Sequence, residues 1–301
     1  MPDRVVALAP AKLNLALSVG PPDADRMHPI ASWMVTVDLH DELDLRRLPA
    51  GSLSRYAVEW HPDARRQRDI DWSISKDLAV RAHLATERLV GRSLPVQLRL
   101  RKRIPVGGGL GGGSSDAAAM IVALDRLHGL GLDERARHAL ATGLGSDVAF
   151  LLEGGSAIVE GRGERLDPLP SMPRFHAVLA FPAEGCPTAA VYRRFDELPG
   201  ARLDPERVRS LAEVEGGLDP HSPFNDLAEP ACLEQPALRG IRRDLAEVAG
   251  RPAHVSGSGS TLFVLCDDAV HARRLAAEAE RALDLPMVAV AAAARPAPVA
   301  H

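Results

Sequence analysis

The sequence is poor in several features, and each shortage argues against a class of protein. Only three cysteines occur among 301 residues, at Cys186, Cys232 and Cys266, and no Cys-x-x-Cys pair exists. The spacing therefore predicts neither a disulfide-stabilised fold nor a cysteine-ligated zinc site. We expect the three thiols to be buried small apolar groups in a reducing compartment.

Long apolar runs and excess positive charge are also missing. No run of about 18 apolar residues occurs, so the sequence predicts no membrane span. The opening Met1-Pro2-Asp3-Arg4 leads straight into a strand-like stretch, so we expect no signal peptide and a cytoplasmic location. The formal net charge of −4 argues against a general nucleic-acid binder. An anionic ligand would have to be held locally.

Glycine, in contrast, is concentrated at one place. Six of the seven residues 107–113 are glycine, between a strand pattern at residues 96–100 and a helix pattern that follows Asp116. Such a run is costly in conformational entropy, and a chain tolerates it where its backbone must wrap a ligand closely. Backbone N–H groups and a helix N-terminus converge there, and both favour negative charge. The sequence therefore predicts a loop that binds nucleotide phosphates.

Two well-known nucleotide motifs fit this loop poorly. The pattern Gly-x-Gly-x-x-Gly occurs from Gly107 to Gly112, but a dinucleotide fold expects an acidic residue about 20 positions later, at the end of a strand. Asp125 falls inside the predicted helix instead. No Gly-Lys-Ser/Thr sequence occurs, so the P-loop pattern also fails. A purely structural glycine loop is the alternative. The adjoining Ser114-Ser115-Asp116 argues against it, because these residues can cap a helix and bind phosphate or metal.

The length favours two domains. Three prolines, at 168, 170 and 173, lie close together and mark a candidate boundary. We therefore predict an N-terminal domain over residues 1–168, a C-terminal domain over residues 169–295 and a tail over residues 296–301.

Local patterns predict where several elements begin and end. Alternation over residues 13–19 predicts a strand with one buried face, interrupted on its N-terminal side by Pro10. Lys12 and Asn14 would share its other face. Ser75 is predicted to cap a helix that Gly91 ends.

From pattern alone, each polar candidate also has a plain structural interpretation. Lys12 is a solvated charge, Asp147 is an ordinary first-turn helix residue favoured by the helix dipole, and the Ser-Gly repeat at residues 256–260 is a simple turn. His28 and Tyr192 are a loop histidine and a packing aromatic. No histidine or carboxylate pair has the spacing of a metal site.

Taken together and in order, three segments resemble the GHMP kinase superfamily. They are a strand motif at residues 9–15, a Pro-x-Gly-Gly-Gly-Leu-Gly-Gly loop with two serines at residues 105–116, and a late Gly-x-Gly turn at residues 254–263. Shorter stretches at residues 145–148 and 224–227 are also similar. The resemblance implies a two-domain α+β fold, with an N-terminal half like ribosomal protein S5 and a ferredoxin-like C-terminal half. ATP and the second substrate would meet between the two halves.

The resemblance also implies chemistry and roles. It implies a kinase that uses ATP and Mg²⁺ to phosphorylate a hydroxyl group of a small molecule. The nearest pattern is that of members acting on a cytidyl diphosphate sugar alcohol in non-mevalonate isoprenoid synthesis. Asp147 would be the general base and Lys12 its catalytic partner. Asn14, His28 and Tyr192 would contact the cytidyl substrate, and Ser115 and Asp147 are the nearest candidates to hold Mg²⁺. The residues implied for ATP are Pro105, Val106, Gly107, Gly108, Gly109, Leu110, Gly111, Gly112, Gly113, Ser114 and Ser115.

One segment departs from the family. The common Asp-Gly-Tyr-His is Asp25-Arg26-Met27-His28 here, so Met27 replaces an aromatic ring expected to stack on the cytosine. Three alternatives stay open: a GHMP kinase for a homoserine- or mevalonate-type alcohol, a dinucleotide-dependent oxidoreductase, and a binding protein without activity. The sequence does not determine the oligomeric state.

Overall fold

The computed structural model describes residues 2–213, 218–294 and 297–300. The strands are β1 (Arg4–Val19), β2 (Ile30–Arg47), β3 (Arg55–Trp60), β4 (Val96–Lys102), β5 (Ser156–Gly161), β6 (Arg165–Pro168), β7 (His176–Ala180), β8 (Phe224–Asn225), β9 (His254–Val255), β10 (Leu262–Cys266), β11 (Met287–Ala291) and β12 (Val299–Ala300). The α-helices are α1 (Leu78–Val90), α2 (Gly112–His128), α3 (Glu134–Leu144), α4 (Ser146–Glu153), α5 (Thr188–Asp196), α6 (Pro205–Ala212), α7 (Ala228–Glu234), α8 (Pro236–Ala249) and α9 (Ala269–Leu283).

Two sheets form the centre of the molecule. The first has the order β12-β1-β2-β4-β3, with β5 also paired to β2, β6 to β5 and β8 to β1. The second has the order β11-β7-β10-β9. The alternation of helical and strand segments predicted from the sequence therefore forms an α+β fold, and that prediction is confirmed.

Three apolar cores define the layers. One lies between the first sheet and helices α1, α2 and α4. A second lies between the facing sides of the two sheets, where Leu13 and Val35 meet Leu179 and Phe263. The third lies between the second sheet and helices α7 to α9. β1 contributes side chains to all three cores, so it joins the two halves. The division at residue 168 stays a prediction.

β1 differs from its predicted form. Every residue from position 10 to position 19 is buried, so the prediction of a single buried face was wrong. Nor does Pro10 interrupt the strand. The pairing register with β2 shifts between Pro10 and Lys12 and again between Asn14 and Ala16. Proline is tolerated where a bulge relieves the ladder, and bulges turn side chains to new directions. These two irregularities flank the lysine and asparagine singled out from the sequence.

The ends of α1 were predicted partly correctly. Asp77, not Ser75, caps the helix, because its carboxylate accepts hydrogen bonds from the N–H groups of Ala79 and Val80. Residues 74–76 form a short 3₁₀ turn instead. Gly91 ends the helix in the left-handed conformation, with φ of +67°, as predicted.

Three further observations concern the predicted tail, the cysteines and the helices. The predicted tail contains a short strand, since Val299 and Ala300 pair with β1. All three cysteines are buried and unbridged, as expected. Among the described residues, none of the helices combines the length and apolar character needed to cross a membrane.

A buried histidine makes the stability sensitive to pH. His128, 7% exposed at the end of α2, has its pKa lowered to about 4 from 6.5, mainly by burial and then by the cations Arg47 and Arg92. Between pH 6.5 and 4 the unfolded chain therefore binds more protons at this site than the folded chain. Stability is lost as the pH falls through that window.

We expect His128→Gln, which cannot titrate, to reduce the loss of unfolding free energy between pH 6.5 and 4. Urea unfolding at a series of pH values measures this loss. His221→Gln, at an exposed position, is the control and should keep the wild-type slope. An equal slope in His128→Gln and the wild type would contradict the assignment.

Candidate active site

Three segments that are far apart in the sequence meet at the glycine-rich loop. The N–H of Lys12 in β1 donates to the carbonyl of Leu110 at 2.9 Å. From the C-terminal half, the N–H of Thr261 donates to the carbonyl of Gly108 at 3.1 Å, and the Ser256 hydroxyl donates to that of Gly109 at 3.2 Å. The loop is therefore held on two sides by hydrogen bonds to its backbone carbonyls.

The close approach of these segments requires glycine. Gly109 has φ of +76°, and a Cβ built there would lie 2.1 Å from the carbonyl oxygen of Ser256. Gly257 has φ of +56°, and its Cβ would lie 3.4 Å from Nζ of Lys12. Side chains at either position would separate the glycine-rich loop, the Ser-Gly turn and β1.

Asn225 holds the Ser-Gly turn in place. Its amide group donates to the carbonyls of Val255 at 2.8 Å and Gly257 at 2.7 Å, while its side-chain oxygen accepts from the N–H of Leu227. Both polar atoms of the Asn225 side chain thus form hydrogen bonds that hold the turn. The segment at residues 224–227 was singled out from the sequence, and the structure gives it this supporting role.

A cleft of about 570 Å³ opens above the loop. It is lined by most of the residues predicted for the site: Lys12, Asn14, Pro105, Val106, Gly107, Gly108, Gly109, Leu110, Gly111, Gly112, Gly113, Ser114, Asp147 and Tyr192. Ser115 lies just beneath, fully buried, and its hydroxyl has no hydrogen-bond partner in the part of the chain that the structure describes.

Lys12 is the central charged group. It is only 4% exposed, its Nζ lies 2.5 Å from Oδ1 of Asn14, and 3.6 Å separates it from Oδ2 of Asp147. Asn14 is itself held, because its Nδ2 donates to the Ser32 hydroxyl at 2.8 Å. The interpretation of Lys12 as a solvated charge is therefore wrong. A buried ammonium of this kind needs compensating partners, and here they are an amide oxygen and a carboxylate.

Asp147 is placed for contact with a ligand. It lies in the first turn of α4, where the helix dipole favours a carboxylate, and its side chain keeps 30% of its surface exposed. Burial, and then the nearby Asp147 charge, raise the pKa of Tyr192 to about 12. Lysine, carboxylate and phenol thus share one end of the cleft.

His28 packs against Tyr192 but is not among the residues that line the cleft. The two rings lie 4.9 Å apart at a 38° tilt, and Phe195 meets His28 edge-on at 5.7 Å. Nδ1 of His28 donates to the carbonyl of Gly20 at 2.9 Å, since a carbonyl can only accept. Met27 beside it is half exposed. Contact of His28 with a substrate stays a prediction.

A second buried lysine was missed in the sequence. Lys102 ends β4, and its amine binds Asp41 at 2.6 Å and also Asp116 in α2. Asp41 additionally accepts from the N–H of Ile104 at 2.8 Å. Burial raises the pKa of Asp116 well above its usual range. This cluster ties together the two ends of the glycine-rich loop, and the signal for it was a lysine two residues after the strand pattern at residues 96–100.

The other end of the cleft was also missed. It is lined by Trp72, Lys76 and Leu78, and the indole N–H of Trp72 donates to Asp77 at 3.3 Å. Trp72 is one of only three tryptophans in the chain. A rare large aromatic within a charged loop was the available signal.

Comparisons with known proteins agree with this geometry. The family model "GHMP kinases N terminal domain" matches residues 77–155, and "GHMP kinases C terminal" matches residues 202–285. The chain is 38% identical to a 4-diphosphocytidyl-2-C-methyl-D-erythritol kinase of Caulobacter sp. (strain K31), over 92% of this chain and 94% of the relative. It is 39% identical to the kinase of the same name from Thermobifida fusca, over 92% of this chain and 91% of that one.

Solved structures are similar over the whole chain. A crystal structure of 4-(cytidine 5'-diphospho)-2C-methyl-D-erythritol kinase matches with a TM-score of 0.75 and 34% identity, over 96% of this chain and 99% of that one. A homoserine kinase from Cytophaga hutchinsonii matches with a TM-score of 0.72, over 100% of this chain and 98% of that one. At 18% identity, this second likeness shows the fold alone.

We expect Gly109→Ala to weaken ATP binding by about five- to thirtyfold, because a side chain at positive φ costs about 1–2 kcal/mol. The new Cβ would also collide with the Ser256 carbonyl, so the two loops must separate. Calorimetry with ATP, alongside thermal unfolding, measures both effects.

Gly143→Ala is the matched control for Gly109→Ala. Gly143 lies in α3, where an added Cβ meets nothing within 4 Å. It should leave ATP affinity unchanged. Unaltered ATP affinity in a folded Gly109→Ala protein would show that the contact with the Ser-Gly turn does not shape the ATP site.

Proposed function

The chain belongs to the GHMP kinase family, and from that premise we propose that it transfers the γ-phosphoryl group of ATP to the 2-hydroxyl of 4-diphosphocytidyl-2-C-methyl-D-erythritol. The proposal places the enzyme in the synthesis of isoprenoid precursors by the non-mevalonate route. It is supported by the names of the relatives, which cover almost the whole chain, and by the chemistry of the cleft. The alternative of a dinucleotide-dependent oxidoreductase is overturned by the kinase family match.

The observation that carries the proposal is the Lys12–Asp147 pair beside the glycine-rich loop. Phosphoryl transfer needs little covalent chemistry from a protein: it needs positioning, charge stabilisation and an acceptor for the hydroxyl proton. Asp147 is the partly exposed carboxylate that can accept the proton. The Nζ of Lys12 lies 3.6 Å from that carboxylate, where its charge can stabilise the negative charge that develops on the transferred group.

The loop supplies the site for the phosphates. Its N–H groups and the N-terminus of α2 favour an anion. Gly111 packs against the Lys12 side chain, since a Cβ there would lie 3.1 Å from Cγ of Lys12. The end of the phosphate chain would therefore come close to the lysine amine and Asp147. Transfer can then occur directly, without a phosphorylated enzyme.

Mg²⁺ fits the oxygen atoms present. The ion usually keeps several waters and takes one or two protein oxygens together with substrate phosphates. Ser115 offers a buried hydroxyl without a partner among the described residues, at the first turns of α2, and Asp147 offers a carboxylate. We propose that these two hold the ion, which would neutralise phosphate charge when bound.

The two ends of the cleft suit different parts of the ligands. The cytidyl group would lie at the Tyr192 end, and the base of ATP at the end lined by Trp72 and Leu78.

Asn14 was predicted to contact the substrate, but both of its amide atoms already bind Lys12 and Ser32. Its contact with the substrate stays a prediction.

We also expect a cytoplasmic location, because three buried cysteines without a disulfide are typical of a reducing compartment.

A substrate screen tests the proposal. ATP is offered with 4-diphosphocytidyl-2-C-methyl-D-erythritol, homoserine or mevalonate in parallel, and formation of ADP is followed. We expect turnover only with the cytidyl substrate. Faster turnover of homoserine or mevalonate would instead assign the chain to another alcohol.

We expect Asp147→Asn to lower kcat by about 10²–10⁴-fold, the usual contribution of a positioned general base. The affinity for ATP measured without Mg²⁺ should stay close to that of the wild type, because the loop is unchanged. Glu153→Gln, at the exposed far end of α4, is the control and should keep full activity. Near-normal turnover in folded Asp147→Asn would remove Asp147 from the role of base.

We expect Met27→Tyr to lower the KM for the cytidyl substrate about 2–13-fold, because an aromatic pair adds about 0.5–1.5 kcal/mol beyond its buried area. Tyr192→Ala should raise that KM, and neither change should alter the KM for ATP. Initial rates with each substrate varied in turn measure both. If neither variant changes the KM for the cytidyl substrate, the base binds elsewhere.

A further inference from the structure

The loop that carries Met27 and His28 is organised by one carboxylate. Oδ1 of Asp23 accepts hydrogen bonds from the N–H groups of Asp25 at 2.9 Å and Met27 at 3.0 Å. The N–H of Asp23 in turn donates to the carbonyl of Met27 at 2.8 Å. Both sides of the Met27 backbone are therefore fixed relative to Asp23. A shift of Asp23 would therefore move the backbone of Met27, the residue before His28.

Asp23 is held from outside by an arginine of another segment. Arg162 lies in the tight turn between β5 and β6, and its Nε and Nη2 donate to Oδ2 of Asp23 at 3.2 and 2.6 Å. Nη2 also donates to Asp25 at 2.7 Å. The pKa of Asp23 is lowered, first by its hydrogen bond with the Met27 backbone and then by Arg162. The Asp23 carboxylate thus accepts hydrogen bonds both from Arg162 and from the backbone of its own loop.

The turn itself is fixed against the catalytic helix. Gly163 has φ of +100°, and a Cβ there would lie 2.4 Å from Cβ of Ser146, the residue before Asp147. The carboxylate of Glu164 accepts from the N–H of Arg162 at 2.5 Å, which stiffens the turn. One turn therefore touches the start of α4 on one side and the loop of Met27 and His28 on the other.

We propose that Arg162 is a positioning residue for the alcohol substrate, which sets the loop of Met27 and His28 at a fixed place relative to Asp147. It acts through Asp23 and Asp25. This inference rests on the proposed function, because it takes that loop as part of the substrate site. A planar guanidinium suits the task, since its donors have fixed directions in one plane, whereas those of an ammonium rotate about its bond to the side chain.

The exposure of the ion pair between Arg162 and Asp23 sets the size of the effect expected when Arg162 is replaced. The side chains of Arg162 and Asp23 are 47% and 37% exposed, and exposed ion pairs are weak. We therefore expect Arg162→Ala to raise the KM for 4-diphosphocytidyl-2-C-methyl-D-erythritol about two- to fivefold. The KM for ATP and kcat should change less than about twofold, because the Lys12–Asp147 pair and the glycine-rich loop are not touched.

Three further variants test whether Arg162 acts through Asp23. Arg162→Lys keeps the charge but loses the planar set of donors, so its KM should lie between wild type and Arg162→Ala. Asp23→Asn keeps an acceptor for the loop N–H groups and loses the charge pair. The double variant Arg162→Ala/Asp23→Asn should then be no worse than Arg162→Ala alone. Arg165→Ala, in the same hairpin, is the matched control and should match the wild type.

A ligand-free measurement separates this inference from the proposed function. Hydrogen exchange of residues 20–29 should be faster in Arg162→Ala than in wild type and Arg165→Ala. If the wild type phosphorylates another alcohol, the proposed function fails while the exchange result still tests the link to the loop. Any one of four results for Arg162→Ala would overturn the positioning role. They are unchanged hydrogen exchange of residues 20–29, an unchanged KM for the cytidyl substrate, an equal rise in the KM values for both substrates, and effects that add to those of Asp23→Asn.

Discussion

The burial of the Lys12 ammonium is the constraint on which the rest of the site depends. An ammonium taken out of water is costly unless partners replace its hydration. Asn14 and Asp147 supply those partners from β1 itself and from α4. To bring them together, β1 must bend at two register shifts, and the Ser-Gly turn must close over the lysine. The two register shifts, Gly111, Gly257 and the turn held by Asn225 all lie around this one charge.

The distance between Lys12 and Asp147 also matters for the chemistry. At 3.6 Å the two charges attract each other, but they are too far apart for a short hydrogen bond. Both the ammonium and the carboxylate can therefore still form hydrogen bonds with a ligand. The lysine keeps donors that can turn to a phosphate oxygen, and the carboxylate keeps an oxygen for a hydroxyl proton. Lys102 is a contrast, because two carboxylates bind it closely and its amine is used to tie the loop ends. One buried lysine is thus suited to chemistry and the other to structure.

Some parts of this site are local in sequence, and those could be predicted. Six glycines before a helix indicate a phosphate loop, and Asp147 at a helix start is visible from its neighbours. The partners of Lys102 could not be found in the same way, because Asp41 lies 61 residues away and the pair exists only once β2 and β4 are adjacent. Burial of both faces of β1 was missed for a similar reason. Its second cover comes from the second sheet and the Ser-Gly turn, about 160 or more residues later in the chain.

The residues that we propose for catalysis and for recognition of the second substrate are held with unequal strength, and this has a consequence for specificity. Lys12 and the glycine-rich loop are fixed by buried contacts from several segments, so a substitution there disturbs the fold as well as the reaction. The turn at residues 23–27 is held mainly by its own hydrogen bonds and by exposed ion pairs with Arg162, whereas His28 is also packed against Tyr192 and Phe195. Changes in that loop cost little stability, because exposed pairs contribute at most about 1 kcal/mol. A methionine can therefore stand where the family has an aromatic ring, while the residues that we propose for phosphoryl transfer keep their arrangement. In such a fold the second substrate can change more readily than the chemistry performed on it.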